Sequence, residues 1–131
     1  MSPNPHFLAP LLTAAGAAGR RVMLERTGQT VSRQIVLAQD SATRTRGLLG
    51  RDGLLDGAVM IIAPCSAIHT LFMRFTIDVV FVDRAGRVLK LYRRLRPWRL
   101  AVAVGAFAVL ELPDGSIDKN GLKRGDFLTI S

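Results

Sequence analysis

From residue 21 onward the chain alternates short apolar runs with turn residues. Val31 to Ala38, Val59 to Ala63, Ile77 to Val82 and Phe127 to Ile130 are rich in aliphatic and β-branched residues and have the length of strands. Arg21 to Glu25 reads as a further strand, joined to Val31–Ala38 through a hairpin turn at Thr27-Gly28-Gln29. Asp83-Arg84-Ala85-Gly86 turns the chain into a strand over Arg87 to Tyr92. Leu100 to Leu112 is apolar with a break at Gly105, and Lys123-Arg124-Gly125-Asp126 turns into the closing strand. Helix is scarce. Asp40 or Ser41 can cap a short helix running to Leu49, and Ser116 to Asn120 forms one helical turn ended by Gly121. Between the two, Gly50, Gly53 and Gly57 break the chain repeatedly. The pattern predicts a mainly β fold: one compact domain over residues 20–131, partly closed and barrel-like, with one or two short helices. Residues 1–19 are expected to form an arm or short helix beside it.

Composition sharpens this picture. The chain has 131 residues, 49% hydrophobic and 21% charged, which excludes global disorder and suits a single core. Eighteen basic residues against ten acidic ones give a formal charge of +8, a balance that favours anionic partners. Cys65 is the single cysteine, so an intrachain disulfide and a multi-thiolate metal site are excluded. Phe7 to Ala18 is apolar, and Ala15-Gly16-Ala17 resembles a signal-peptidase site. Yet no Lys or Arg precedes the run and Arg20-Arg21 follow it, the reverse of a signal peptide. A cytoplasmic protein is the expectation; export is the alternative if residues 1–19 act as a signal. The run is too short to span a bilayer, and no transmembrane segment is expected.

Candidate chemistry concentrates in Cys65 to Asp83, where a cysteine, a histidine, an arginine and aspartates interrupt sheet-like sequence. Asp78 shares a strand face with Val80 and Val82, so its carboxylate needs a buried partner, for which Arg46 and Arg74 are the candidates. Glu111 poses the same question on a face shared with Val109. Two adjacent carboxylates could perform acid–base chemistry, but the sequence does not bring Asp78 and Glu111 together. Cys65 and His69 lie about 13 Å apart on an extended strand, too far for a nucleophile and its base. His6 falls in the arm, leaving His69 as the one credible imidazole, so no metal, cofactor or catalytic set is assigned. The glycines at 47, 50, 53 and 57 lack the spacing of a phosphate-binding loop. Arg84 to Arg99 carries seven basic residues interleaved with Tyr92 and Trp98. Within it Arg93, Arg94, Arg96 and Trp98 are candidates for holding a nucleic-acid backbone and stacking a base. The alternatives are an edge strand charged against aggregation and contact with an anionic membrane. On this strand Lys90, Tyr92 and Arg94 are expected on the solvent face and Leu89 and Leu91 on the buried one.

Four stretches together resemble the family called domain of unknown function 192, small bacterial and archaeal proteins. They are Arg44-Thr45-Arg46-Gly47-Leu48-Leu49-Gly50-Arg51, Ile68 to Phe81, Val109-Leu110-Glu111-Leu112-Pro113-Asp114-Gly115, and Gly121-Leu122-Lys123-Arg124-Gly125-Asp126. Thr76 stands where this form of the family usually has proline. The resemblance implies a small β-rich, barrel-like domain and supplies no reaction. Three functions are therefore carried forward. The first is a non-enzymatic binding or accessory module with a small polar-ligand site at Arg46, His69, Arg74, Asp78 and Glu111. The second is a nucleic-acid-associated basic protein, and the third a small hydrolase using Asp78 or Glu111.

Overall fold

The computed structural model describes residues 6–38, 54, 57–71 and 73–131. Its centre is a five-stranded sheet in the order β3 (Gln34–Ala38), β4 (Ala58–Ile62), β9 (Ala108–Pro113), β6 (Ile77–Val82), β7 (Val88–Leu95). β3 and β4 run parallel; the other pairings are antiparallel. The inner strands β4, β9 and β6 are covered on both faces, which is why they read as continuous apolar runs rather than as alternation.

One face of this sheet is closed by a three-stranded sheet, β10 (Leu128–Ile130), β1 (Val22–Leu24) and β2 (Thr30–Ser32). The short helix α1 (Ser116–Asn120) adds Ile117 to the same core, where Leu24, Ile61, Val80, Leu110 and Leu128 meet. Each such aliphatic contributes about 2 kcal/mol by leaving water. The N-terminal segment joins them: a 3₁₀ turn at Ala9–Leu12 buries Leu11 beside Leu8, and the Phe7 amide donates to the Arg84 carbonyl at 2.8 Å. Gly86 permits this seat, since its φ is +85° and a Cβ there would collide with the Leu128 carbonyl and crowd Phe7.

The other face carries a two-stranded ribbon, β5 (Ala67–His69) with β8 (Leu100–Val102), whose Ile68 and Ala101 point inward onto Met60, Ile62, Val79, Phe81 and Val109. The fold is thus mainly β, as the sequence predicts. Among the described residues its sheets stack in layers and do not close into a barrel. The helix predicted over residues 41–49 lies outside the described residues.

Candidate functional site

Asp78 is 1% exposed, and both its oxygens are used. β7 carries a bulge opposite it: Ile77 pairs with Leu95 and Val79 with Tyr92, so three steps on β7 face two on β6. The amide released there, Arg94 N–H, donates to Asp78 Oδ1 at 2.9 Å; Ile117 N–H donates to Oδ2 at 2.7 Å. The second bond caps α1 from a neighbouring strand, because Gly115 at the helix start has no side chain to do so. Asp78 therefore meets backbone donors here, not the Arg74 guanidinium expected from strand parity. β6 begins only at Ile77, so the parity argument stops short of Arg74, which is exposed in the turn before it. Arg46 lies outside the described residues.

Glu111 is fully buried, beside Val79 and Met60 in register, while Asp78 pairs with Leu112 one step along. Side chains alternate across a strand, so the two carboxylates project from opposite faces of the sheet. They cannot act as a pair. His69 lies on the outer face of the ribbon, its Nδ1 accepting Leu71 N–H at 3.4 Å, and the Cys65 thiol donates to the Ala67 carbonyl at 3.1 Å. Of the small-ligand residues that are described, Asp78 and Glu111 thus lie on opposite faces of the sheet, and His69 and Arg74 are exposed outside it. Among the described residues no three His, Cys, Asp or Glu side chains gather in a metal-like cluster.

The basic segment is assembled instead. Arg94 and Trp98 both adopt left-handed backbone, with φ of 52° and 65°, a conformation costing about 1–2 kcal/mol for a residue with a Cβ. Each is pinned by a buried polar group. Asp78 holds Arg94. Thr70, fully buried, holds the turn around Trp98: its carbonyl accepts Trp98 N–H at 3.0 Å, and its hydroxyl donates to the Arg96 carbonyl at 2.6 Å while accepting Arg99 N–H at 2.8 Å. The loop from Arg94 to Arg99 is therefore rigidly presented, with Arg94, Arg96, Trp98 and Arg99 all exposed. Arg93 and Arg94 reach the acids beside α1, Arg93 Nε to Asp118 at 2.8 Å and Arg94 Nε to Asp114 at 3.4 Å. Both pairs are open to water and hold little energy, so a stronger anion can displace them.

Thr70 and the exposed face of β8 escape the sequence reading. Leu100, Val102 and Val104 are 69%, 43% and 100% exposed, whereas the alanines between them are buried. Large residues face out and small ones in, because the ribbon packs close to the sheet. A groove of about 500 Å³ separates β8 from β7, lined by Lys90, Arg93, Arg124, Leu91, Val102 and Val104. Tyr92, expected on the solvent face, is half-buried against Phe81 and ties β7 to β8. Its hydroxyl donates to the Val102 carbonyl at 2.8 Å and accepts Val102 N–H at 3.2 Å. Burial opposes its phenolate, but hydrogen bonding from Lys90 and Val102 outweighs this and lowers the pKa below the usual 10.

Comparison with known proteins fits this fold. The sequence profile of the DUF192 family, described as "Uncharacterized ACR", matches residues 22–130. The chain belongs to the DUF192 family. A UPF0127 protein of Thermococcus sibiricus (strain DSM 12597 / MM 739) is 33% identical over 105 residues, covering 76% of this chain and 67% of that protein. Among solved structures, a protein of unknown function from Novosphingobium aromaticivorans DSM 12444 superposes with a TM-score of 0.69 at 27% identity, covering 83% of this chain and 81% of that one. A second, from Sinorhizobium meliloti 1021, gives a TM-score of 0.70 at 20% identity, covering 83% and 89%, and shares the fold. No helix among the described residues is long and apolar enough to cross a membrane.

Proposed function

We propose that this DUF192 protein is a non-enzymatic binding module that engages nucleic acid through the Arg94–Arg99 loop. One observation carries the reading: two strained, exposed residues are held by buried polar residues, Arg94 N–H by the Asp78 carboxylate and Trp98 N–H by the Thr70 carbonyl, with the Thr70 hydroxyl bonding Arg96 and Arg99 on either side. Strain of this kind persists where the surroundings over-determine it, and it concentrates at binding surfaces. Three guanidiniums and an indole held in one loop match phosphate oxygens and a base face together. A net charge of +8 adds attraction at long range. By contrast, Asp78 and Glu111 project from opposite faces of the sheet, which separates two residues of the small polar-ligand reading and would leave a hydrolase one carboxylate at a time.

The test is fluorescence anisotropy of a labelled oligonucleotide titrated with the full chain. Binding is expected to weaken steeply between about 50 and 200 mM salt, as counterion release requires. The triple variant Arg96→Ala, Trp98→Ala, Arg99→Ala, whose side chains are exposed, is expected to bind at least about tenfold more weakly with its melting temperature retained. Absence of binding at low salt, or binding indifferent to these substitutions, overturns the reading.

A further inference from the structure

The geometry points to a single strand rather than a duplex as the nucleic acid; this rests on the reading above. We infer that the strand lies along β8, with its phosphates toward Lys90, Arg93 and Arg124 and its base faces on Trp98, Leu100 and Val104. Trp98, Leu100, Val102 and Val104 follow at two-residue spacing and are all exposed, Val104 completely. An aliphatic stripe of this kind is of no use against a duplex, whose outer surface is phosphate and sugar and whose base faces are hidden by stacking. Unstacked bases, in contrast, offer apolar faces that tolerate any sequence.

The cations are placed to match. Lys90, Arg93 and Arg124 line the same groove as Val102 and Val104, so charge and apolar surface run side by side. Lys90 is steadied over the Tyr92 ring at 4.9 Å, and Tyr92 in turn holds the β8 edge through Val102. Asp118, the acid that contacts Arg93, is exposed and can be displaced. β8 itself, Leu100–Val102, is the extended part; Trp98 sits in the bend before it and Val104 in the turn after it, so the stripe offers contacts to a few nucleotides, the small end of single-strand sites. Charge decides against a second copy, which would set one basic rim against another. An anionic bilayer is the other surface that could meet exposed cations beside an apolar stripe, and a vesicle probe separates it from a nucleic-acid strand.

The experiment compares three probes on the full chain: a labelled single-stranded DNA of about 12 nucleotides, the matching duplex, and phosphatidylcholine vesicles containing about one-third phosphatidylserine. The expected result is single-strand binding about tenfold tighter than duplex binding. In the variant Leu100→Ser, Val104→Ser, that ratio is expected to fall toward one with duplex binding unchanged; both side chains are exposed, and a thermal melt checks the fold. Equal or tighter duplex binding, or a preference untouched by the two serines, overturns the single-strand inference and leaves the nucleic-acid reading standing. Binding to vesicles alone, or to none of the probes, overturns both.

Discussion

The two faces of the central sheet are finished in opposite ways. On the face covered by β1, β2, β10 and the N-terminal turn, aliphatic side chains point in and polar groups lock the rim. The Arg26 guanidinium grips Asp126 through two hydrogen bonds, at 2.8 and 3.1 Å, and also donates to the Gly121 carbonyl at 2.9 Å. On the face covered by the β5–β8 ribbon, alanines point in, leucine and valine point out, and buried polar groups hold a strained loop in place. One face uses its polar groups to close the fold. The other uses them to present a surface. Asp78 belongs to both, since one oxygen caps α1 within the closed side and the other fixes Arg94 on the presented side.

The sharpest way to break this division is Asp78→Asn. The amide keeps one acceptor and turns an NH₂ toward a backbone donor, so one of two buried N–H groups loses its bond. A destabilisation of about 3 kcal/mol is expected, read from the urea midpoint at pH 7. Nucleic-acid affinity is expected to fall in the fraction that remains folded, because Arg94 is then free to leave its left-handed conformation. Adding Arg94→Gly should recover part of the stability and none of the affinity. Unchanged stability in Asp78→Asn would mean that its two hydrogen bonds hold nothing.

How much of this could be read in advance follows from the same contrast. β4, β6 and β9 were legible because burial on both faces leaves apolar runs, broken only by Asp78 in β6 and Glu111 in β9, and Gly121 marked the end of α1 as expected. The burial of Asp78 followed from the strand face it shares with Val80 and Val82, but its partners did not. Backbone amides carry no sequence signature, so a guanidinium was the natural guess. The one local cue was Gly115, which leaves α1 without a side-chain cap. The separation of Asp78 from Glu111 depends on the register of β6 against β9, which neither strand encodes alone. The ribbon was the least legible element. In Leu100-Ala101-Val102-Ala103-Val104 every residue is apolar, so alternation cannot say which set faces water, and close packing reversed the usual choice. Thr70 looks like any strand threonine until the 96–99 turn folds back onto it.

Thr70→Val tests the presented face alone. The substitution preserves shape and removes the hydroxyl that bonds Arg96 and Arg99, leaving a carbonyl and an amide without that partner. A loss of about 1–2 kcal/mol is expected. The binding loss should be the larger signature, as Trp98 relaxes from its positive φ and the loop becomes mobile. Hydrogen exchange confined to residues 96–99 would mark the effect as local. Protection lost equally across β1 and β10 would instead make Thr70 a general core residue and dissolve the distinction between the faces.

The smallest effect is expected at the closed face, and it is conditional on pH. Hydrogen bonding from Arg26 holds the Asp126 carboxyl below its ordinary value of 3.8, against the opposing effect of burial, with help from Lys123 N–H at 2.8 Å. A carboxyl whose pKa is depressed in the folded state contributes stability above its unfolded pKa and loses it as pH falls through the folded one. Wild type should therefore be more stable than Asp126→Asn at pH 7, with the gap closing below about pH 4. Arg26→Gln should narrow the same window, since it removes the donor that depresses the pKa. Nucleic-acid binding at pH 7 should change far less than in Thr70→Val, because neither residue lines the β7–β8 groove or belongs to its loop. A gap that persists unchanged to low pH would mean that Asp126 acts through shape and backbone hydrogen bonds, not through its charge.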